Sequence, residues 1–182
     1  MKSTLSKKTY EKIYDMLNKV EHLDYDCGIL CNNICCQKTE PDMGIYLLPN
    51  EHLVLQKEKD WLSWSKHPVK NYDFPDSWEG ETFFISCNGN CPREKRPLQC
   101  RTFPLAPHFG QRGKLFLIWE TLTLPYFCPI LYEQKPLKQD FIKNLYQAWQ
   151  ILITDPLIKD LVAYDTKNRL AHKSLIKIVY PK

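Results

Sequence analysis

Cysteine is the residue type that most constrains this chain, because eight of its 182 residues are cysteines and they fall into two runs. The first run, residues 27–36, has the spacing C-x3-C-x3-C-C. The second run begins with C-x3-C at residues 87–91 and continues to residue 128. Thiols in such numbers form either disulfides or metal sites, since thiolates are soft ligands that suit zinc and iron–sulfur clusters. The candidate metal ligands are Cys27, Cys31, Cys35, Cys36, Cys87, Cys91, Cys100 and Cys128.

Length and composition favour metal ligation over a disulfide framework. Disulfides are typical of oxidising compartments and of chains too small to bury a core, whereas 182 residues with 43% hydrophobic side chains suffice for one domain. Residues 1–8 contain no apolar signal-peptide core, and the longest strongly apolar stretch, residues 115–119, is far shorter than the ~18 residues of a membrane-spanning helix. We therefore expect a cytoplasmic protein without a membrane partner, whose cysteines bind metal.

The charge pattern does not favour a nucleic-acid partner. The net charge of +4 is spread along the chain without a long basic run. Aromatic residues alternate with lysines in residues 57–70, a pattern shared by stacking platforms for single-stranded nucleic acid and by apolar helix faces, and we favour the helix. Hydrolytic catalysis gains no support either, because the sequence shows no Ser-His-Asp or paired-carboxylate spacing.

The adjacent pair Cys35-Cys36 limits how the thiols are shared among metals. Neighbouring side chains diverge along a strand and lie about 100° apart on a helix, so both sulfurs seldom serve one metal. Either one of the pair is a buried thiol outside the ligand set, or the two sulfurs face two metals or two corners of a cluster. Turn-forming residues accompany both runs, and backbone amides aimed at the thiolates would offset their negative charge.

Apolar periodicity predicts a mixed α+β fold. Residues 6–23 and 137–153 have helical spacing, and Pro156 predicts the start of a further helix through residue 162. A strand is predicted at residues 44–48, followed by a helix with Asn50 as its cap that continues to about Trp64. Residues 67–81 are predicted to form a loop, and residues 82–86 and 114–119 to pair as antiparallel strands.

These elements predict one small domain over residues 1–182. We expect a few short antiparallel strands, cysteine loops organised by metal, and flanking helices. The metal-binding part would occupy about residues 24–130 and a helical carboxy-terminal part about residues 134–172. In such a domain the two cysteine runs must meet in space.

The order of motifs along residues 27–129 resembles the CxxCC family of zinc- or iron-chelating domains, also called YkgJ-like. The resemblance rests on the first run with its closing Cys-Cys, on IYLLPNE at residues 45–51, and on RPLQCRTFP at residues 96–104 downstream of Cys91-Pro92. Two features depart from the family: three residues, not two, separate successive cysteines of the first run, and the Trp-rich residues 61–78 form an insertion. A more distant likeness is to flagellin lysine-N-methylases, although the radical-SAM spacing C-x3-C-x2-C is absent.

The resemblance implies that the cysteines chelate metal and leaves the metal open between zinc and iron–sulfur. Eight thiols divide into two sets of four, the usual ligand set of a [2Fe–2S] or [4Fe–4S] cluster, so we expect iron–sulfur, with [4Fe–4S] favoured. Such a protein would serve redox chemistry, sensing or cluster-dependent modification of another protein. One alternative is a structural zinc-binding interaction module, although the C-x2-C knuckles typical of zinc sites are absent. A second is a protein lysine methylase dependent on S-adenosylmethionine and iron–sulfur, so the sequence leaves open whether the protein is an enzyme.

Two arginines beside Cys100 are the candidate cofactor-binding residues. Arg96 and Arg101 would lower the pKa of nearby thiols or bind an anionic carboxylate, or else pair with carboxylates of the surrounding loops. Glu51 would cap a helix or support the site from behind. The five histidines show no paired ligand spacing and are expected at the surface or at caps. A protein is the expected partner or substrate.

Overall fold

The computed structural model describes residues 2–37, 43–89 and 91–181. The α-helices are α1 (Lys7–Asn18), α2 (His52–Leu55), α3 (Leu98–Thr102), α4 (Pro129–Glu133), α5 (Gln139–Leu152) and α6 (Pro156–Ala171). The strands are β1 (Ile45–Tyr46), β2 (Leu62–Pro68), β3 (Glu81–Cys87), β4 (Leu105–Phe109), β5 (Leu115–Trp119) and β6 (Ile178–Tyr180). Single turns of 3-10 helix at Cys27–Leu30 and Ile34–Cys36 carry the first cysteine run. Residues 38–42 and Asn90 lie outside the described residues, so the predicted turn around Asn90 is described only up to Gly89.

The strands form two antiparallel three-stranded sheets, ordered β1-β3-β2 and β4-β5-β6. The predicted pairing of residues 82–86 with residues 114–119 is wrong, because the two segments belong to different sheets. Each pairs with a nearer partner: Ile85 of β3 lies opposite Trp64 of β2, and Leu117 of β5 lies opposite Pro107 of β4. The tight turn between β4 and β5 uses Gly113 at φ 72°, and it closes a hairpin at a low cost in chain entropy.

The predicted helix from Asn50 to Trp64 is also wrong. Only α2, a single turn, is helical there, and Trp64 lies in β2. Asn50 is in the left-handed region at φ 68° and its side-chain amide donates to the carbonyl of Leu5 instead of capping α2. The helical interpretation of residues 57–70 fails for the same reason: pairing with β3 overrides a weak helical pattern. Part of the predicted loop 67–81 likewise belongs to strands, namely to the end of β2 and the first residue of β3.

The helical predictions at both ends of the chain are confirmed. Ser6 caps α1 by accepting from the amide of Thr9, and α5 lies inside the predicted residues 137–153. The last long helix begins at Pro156 as predicted and extends to Ala171. The three helices pack with the inner faces of both sheets around side chains that are essentially inaccessible to water, including Ile13, Leu117, Leu145, Leu152 and Ile158. The chain is therefore a small single α+β domain.

Asp155 fixes the start of α6 and attaches the amino-terminal segment to it. Its fully buried carboxylate accepts the amides of Leu157 at 3.0 Å and Ile158 at 3.2 Å, the amide and hydroxyl of Thr4, and the hydroxyl of Ser3 at 2.9 Å. Burial raises the pKa of Asp155, but the hydrogen bonds from Thr4 and Ser3 outweigh burial and leave the pKa below its ordinary value.

Within the described ranges, no helix combines the length and the hydropathy needed to cross a bilayer.

Candidate metal centre

Both cysteine runs line one open cavity of about 1010 Å³. The expectation that the two runs meet in space is therefore confirmed for the thiols themselves. Cys128 is buried, and Cys35 and Cys100 are open to solvent through the cavity. The lining cysteines are Cys27, Cys31, Cys35, Cys36, Cys87, Cys91, Cys100 and Cys128.

Two tight turns shape the first run. The carboxylate of Asp26 accepts the amide of Gly28 at 2.9 Å and so starts the first 3-10 turn. Asn33 then takes a left-handed conformation at φ 54° and reverses the chain before Cys35 and Cys36. Its side chain lies against Gly28, where a Cβ atom would come within 1.8 Å of Asn33 Oδ1, so a larger residue at position 28 would have to displace the Asn33 side chain.

The second run is distributed over different elements. Cys87 is the last residue of β3, and Gly89 bends the chain away from the sheet at φ 91°. Cys100 lies in the middle of α3. Cys128 immediately precedes α4, which begins with Pro129, so the Cys-Pro pair sets the start of that helix. The spacing of this run thus reflects three separate elements that bring their thiols to one cavity.

Cys36 is the point at which the two runs touch. Its sulfur lies 3.9 Å from the sulfur of Cys35, and the sulfur of Cys87 lies 3.9 Å from its carbonyl oxygen. Cys36 and Cys87 are 51 positions apart in the sequence. The contact therefore joins a loop at the start of the chain to the end of a central strand.

Burial, hydrogen bonding and neighbouring thiols raise the pKa of several of these cysteines. Burial raises the pKa of Cys27 to about 11, and hydrogen bonding with Cys35 is the main cause that raises the pKa of Cys36 to about 11. The surrounding protein raises the pKa of Cys100 as well, with a further contribution from the charge of Cys91. These thiols hold their protons at neutral pH, and a metal that binds them must displace those protons.

The thiols that influence Cys100 and Cys27 fall into two groups. Desolvation by the surrounding protein and the charges of Cys91, Cys36 and Cys87 raise the pKa of Cys100, and we call these four the inner cysteines. For Cys27, besides burial and Asp26, the contributing thiols are Cys31 and Cys128. Cys35 contacts Cys36 and is one of the thiols that raise the pKa of Tyr126. We call the four remaining residues, Cys27, Cys31, Cys35 and Cys128, the outer cysteines.

Arg96 lines the cavity beside the inner cysteines. Burial lowers its pKa, but the charges of Cys91 and Cys36 and a hydrogen bond to Cys91 outweigh burial and raise it. Its Nε atom is buried and has no hydrogen-bond partner. A half-buried cation with an unused, buried donor fits a centre that gathers negative charge, as several thiolates do.

Arg101 is not among the residues that line the cavity. Its guanidinium lies over the ring of Tyr14, with 4.5 Å between the carbon and the ring centroid, and donates to the side chain of Asn18 and the carbonyl of Arg96. Neither bond goes to a loop carboxylate. Arg101 therefore holds α3 against α1, and its assignment as a cofactor-binding residue remains a prediction.

Several lining residues were not predicted from the sequence. Tyr126 lies among thiols of both sets, and the charge of Cys35 contributes to its raised pKa after burial. Its position two residues before Cys128 is the signal that would have found it. The cavity also extends to Glu120, which directly follows β5, and to Asp165 and Arg169 of α6. None of these three residues belongs to a sequence motif.

The histidines take no part in a ligand cluster. His108, expected at the surface, is buried in β4 opposite Phe116. In the part of the chain that the structure describes, no three His, Cys, Asp or Glu side chains are placed to hold one metal ion.

Comparison with known proteins gives no relative: no family model, no curated protein and no solved structure matches the chain.

Proposed function

We propose that the eight cysteines hold one or two iron–sulfur clusters, with [4Fe–4S] favoured, and that the protein serves redox chemistry, sensing or cluster-dependent modification of another protein. The observation that carries the proposal is the lining of a single cavity by all eight cysteines of the chain. Inert core thiols would be dispersed through the hydrophobic core, as small apolar residues are. Membership of the CxxCC (YkgJ-like) family belongs to the same proposal and rests on the motifs quoted above.

The arrangement of the thiols favours a cluster over a single zinc ion. Zinc in a structural site needs four donors at about 2.3 Å from one point. The chain also lacks the C-x2-C spacing that is typical of structural zinc sites. An iron–sulfur cluster binds one thiolate at each of several iron atoms, so its ligands are farther apart than the ligands of one zinc ion. The inner cysteines, which come from separate elements of the chain, fit this requirement.

The inner and outer cysteines are the proposed ligand sets. The inner set, Cys36, Cys87, Cys91 and Cys100, draws on both runs and has Arg96 at its side. The outer set combines Cys27, Cys31 and Cys35 with Cys128. The adjacent Cys35 and Cys36 then belong to different sets, which is one of the arrangements that diverging neighbouring side chains permit.

A bound iron–sulfur cluster would supply one-electron redox chemistry or a Lewis-acidic iron. The protein's own residues would set the conditions. Arg96 brings positive charge and a free donor to the inner set, and Tyr126 brings a hydroxyl between the sets. Both groups act by stabilising the charge of the thiolates.

The first test is anaerobic purification, followed by a visible absorption spectrum and iron, sulfide and zinc analysis of the same sample. The proposal predicts a brown protein with roughly four or eight irons and matching sulfide. A colourless protein with one or two zinc ions would contradict it and make the protein a structural zinc module.

Serine variants test the two sets. Cys100→Ser removes one inner ligand and Cys31→Ser one outer ligand. With two clusters, each variant loses about half of the iron, and the double variant loses nearly all. Full iron content in Cys100→Ser would remove Cys100 from the ligand set.

A further inference from the structure

Glu51 is a fully buried carboxylate that joins three segments of the chain. Its Oε1 atom accepts the amide of Leu98 at 2.7 Å and the hydroxyl of Tyr14 at 2.8 Å. Its Oε2 atom accepts the amide of Leu48 at 3.0 Å. The three donors come from α3, from α1 and from the segment that follows β1. Glu51 therefore connects the chain after the first cysteine run with the short helix of the second.

The bond to Leu98 bears directly on Cys100. The helix α3 has only five residues, too few to be stable by its own hydrogen bonds. Leu98 and Arg101, three positions apart, share one buried face of α3, whereas Cys100 opens onto the cavity. Whatever fixes the buried face therefore fixes how far Cys100 reaches into the cavity.

Arg101 provides a second attachment of the same face. It stacks on the ring of Tyr14, whose hydroxyl donates to Glu51, and it donates to Asn18 of α1. Its bond to the carbonyl of Arg96 also holds the loop that enters α3. Glu51, Tyr14 and Arg101 thus form one network under α3, with Cys100 above it.

The chemistry of the network requires a carboxylate at position 51. Three donors point at Glu51, and a carboxylate has acceptors only, so each donor is satisfied. A glutamine would turn one acceptor into an amide group, which would face a backbone N–H or the Tyr14 hydroxyl. Burial raises the pKa of Glu51 despite these bonds, so the three donors offset the desolvation of the carboxylate only in part.

We propose that Glu51 is a positioning residue for the candidate metal centre: through the amide of Leu98 and the Tyr14–Arg101 contact it sets where Cys100 enters the cavity. The expected effect on metal affinity rests on the proposed function. The effect of Glu51 on the position of the Cys100 thiol does not, because it can be measured in metal-free protein.

The test compares Glu51→Gln with Asp155→Asn. Both substitutions replace a fully buried, multiply hydrogen-bonded carboxylate by its amide, but Asp155 caps α6 and does not line the cavity. The first readout is metal affinity by chelator competition after reconstitution with ferrous iron and sulfide. The second is the rate at which iodoacetamide labels Cys100 in chelator-treated protein, mapped by mass spectrometry.

For Glu51→Gln we expect roughly 10- to 100-fold weaker metal binding, the usual effect of losing a residue that orients a ligand. We also expect several-fold faster labelling of Cys100, with little change at Cys27. Asp155→Asn should lower stability without either effect. Equal metal affinity and equal Cys100 labelling in Glu51→Gln and the parent, or the same changes in Asp155→Asn, would overturn the inference.

Tyr14→Phe covers the case in which Glu51→Gln does not fold. It removes one donor to Glu51 and keeps the ring under Arg101, so the same changes are expected at smaller size, and their absence would count against the network. If the parent protein binds neither iron nor zinc, the proposed function fails. The labelling rates of Cys100 would then still decide whether Glu51 positions it.

Discussion

The helical half of the molecule (α1, α5 and α6) and the cysteine half (residues 27–37, 87–89, 91–100 and 126–128) are packed differently. In the helical half, Leu145, Leu152 and Ile158 are inaccessible to water, and the buried Asp155 has a donor for each oxygen. The cysteine half instead surrounds an open cavity with thiols and the unused donor of Arg96. If the proposed cluster binds there, burial would suffice for the helical half, whereas the cysteine half would gain part of its order from the cluster.

The two buried carboxylates repeat this contrast. Hydrogen bonds outweigh burial at Asp155 and lower its pKa, whereas burial outweighs hydrogen bonds at Glu51 and raises its pKa. Asp155 therefore favours the fold once it is ionised. Burial makes the ionised form of Glu51 costly and its three donors offset that cost only in part, so its contribution to stability declines as the pH rises from its unfolded pKa through its folded pKa.

The largest expected effect is on the helical half. Leu145→Ala should lower the free energy of unfolding by about 2–5 kcal/mol, because it opens a cavity at a fully buried site. Urea denaturation followed by circular dichroism measures this loss. Metal content per folded molecule should remain unchanged, and a parallel loss of metal would break the proposed independence of the two halves.

Metal removal should lower the local stability of the cysteine half. Chelation should raise the amide hydrogen-exchange rates of residues 27–37 and 91–100 by roughly 100-fold, equivalent to the ~2.7 kcal/mol of a ligand at 100 times its dissociation constant. The amides of α5 and α6 should keep their protection, and hydrogen exchange with mass spectrometry separates these segments. Uniform loss of protection would show that the halves unfold together.

Asp155→Asn should lower stability by about 0.5–2 kcal/mol at neutral pH, as loss of a helix cap does. Because the folded pKa of Asp155 is below the unfolded one, its contribution is complete above the unfolded pKa of about 3.9 and declines as the pH falls through the folded pKa. The gap between the parent and the variant should therefore narrow in acid. Thermal melts at neutral pH and in acid test this, and a constant gap would contradict it.

The smallest effect is expected from Arg96. Arg96→Gln removes a positive charge beside the inner cysteines and should lower the reduction potential of a bound cluster by on the order of tens of millivolts. Arg96→Lys, which keeps the charge, is the control in a spectroscopic redox titration. An unchanged reduction potential in Arg96→Gln would show that the charge of Arg96 does not affect the cluster.

The sequence was sufficient where local signals agree with the final packing. Ser6, Pro156 and regular apolar spacing defined α1, α5 and α6, because caps and periodicity are local properties. The same reasoning failed for Trp64, which lies in a strand, and for the partner of residues 82–86, because pairing between β2 and β3 decides both. Long-range contacts of this kind leave little trace in a short window of residues.

The candidate site, like the fold, was predictable from the sequence only in part. Clustering in sequence identified every cysteine that lines the cavity, because thiols are rare and their spacing is visible. The separation into two sets, the stacking of Arg101 on Tyr14 and the burial of Glu51 were not predictable, since each depends on elements far apart in the chain.

The contact between Cys36 and Cys87 has a consequence for the unfolded chain. A cluster that joins these two residues closes a loop of 51 positions, and closing a loop of that length costs about 3.5 kcal/mol of chain entropy from the logarithmic length dependence alone. During folding the two segments must find each other across that distance. Iron that bound the first run before folding would lack its ligands from the second run. The rate at which the proposed site forms would then depend on whether folding precedes metal delivery.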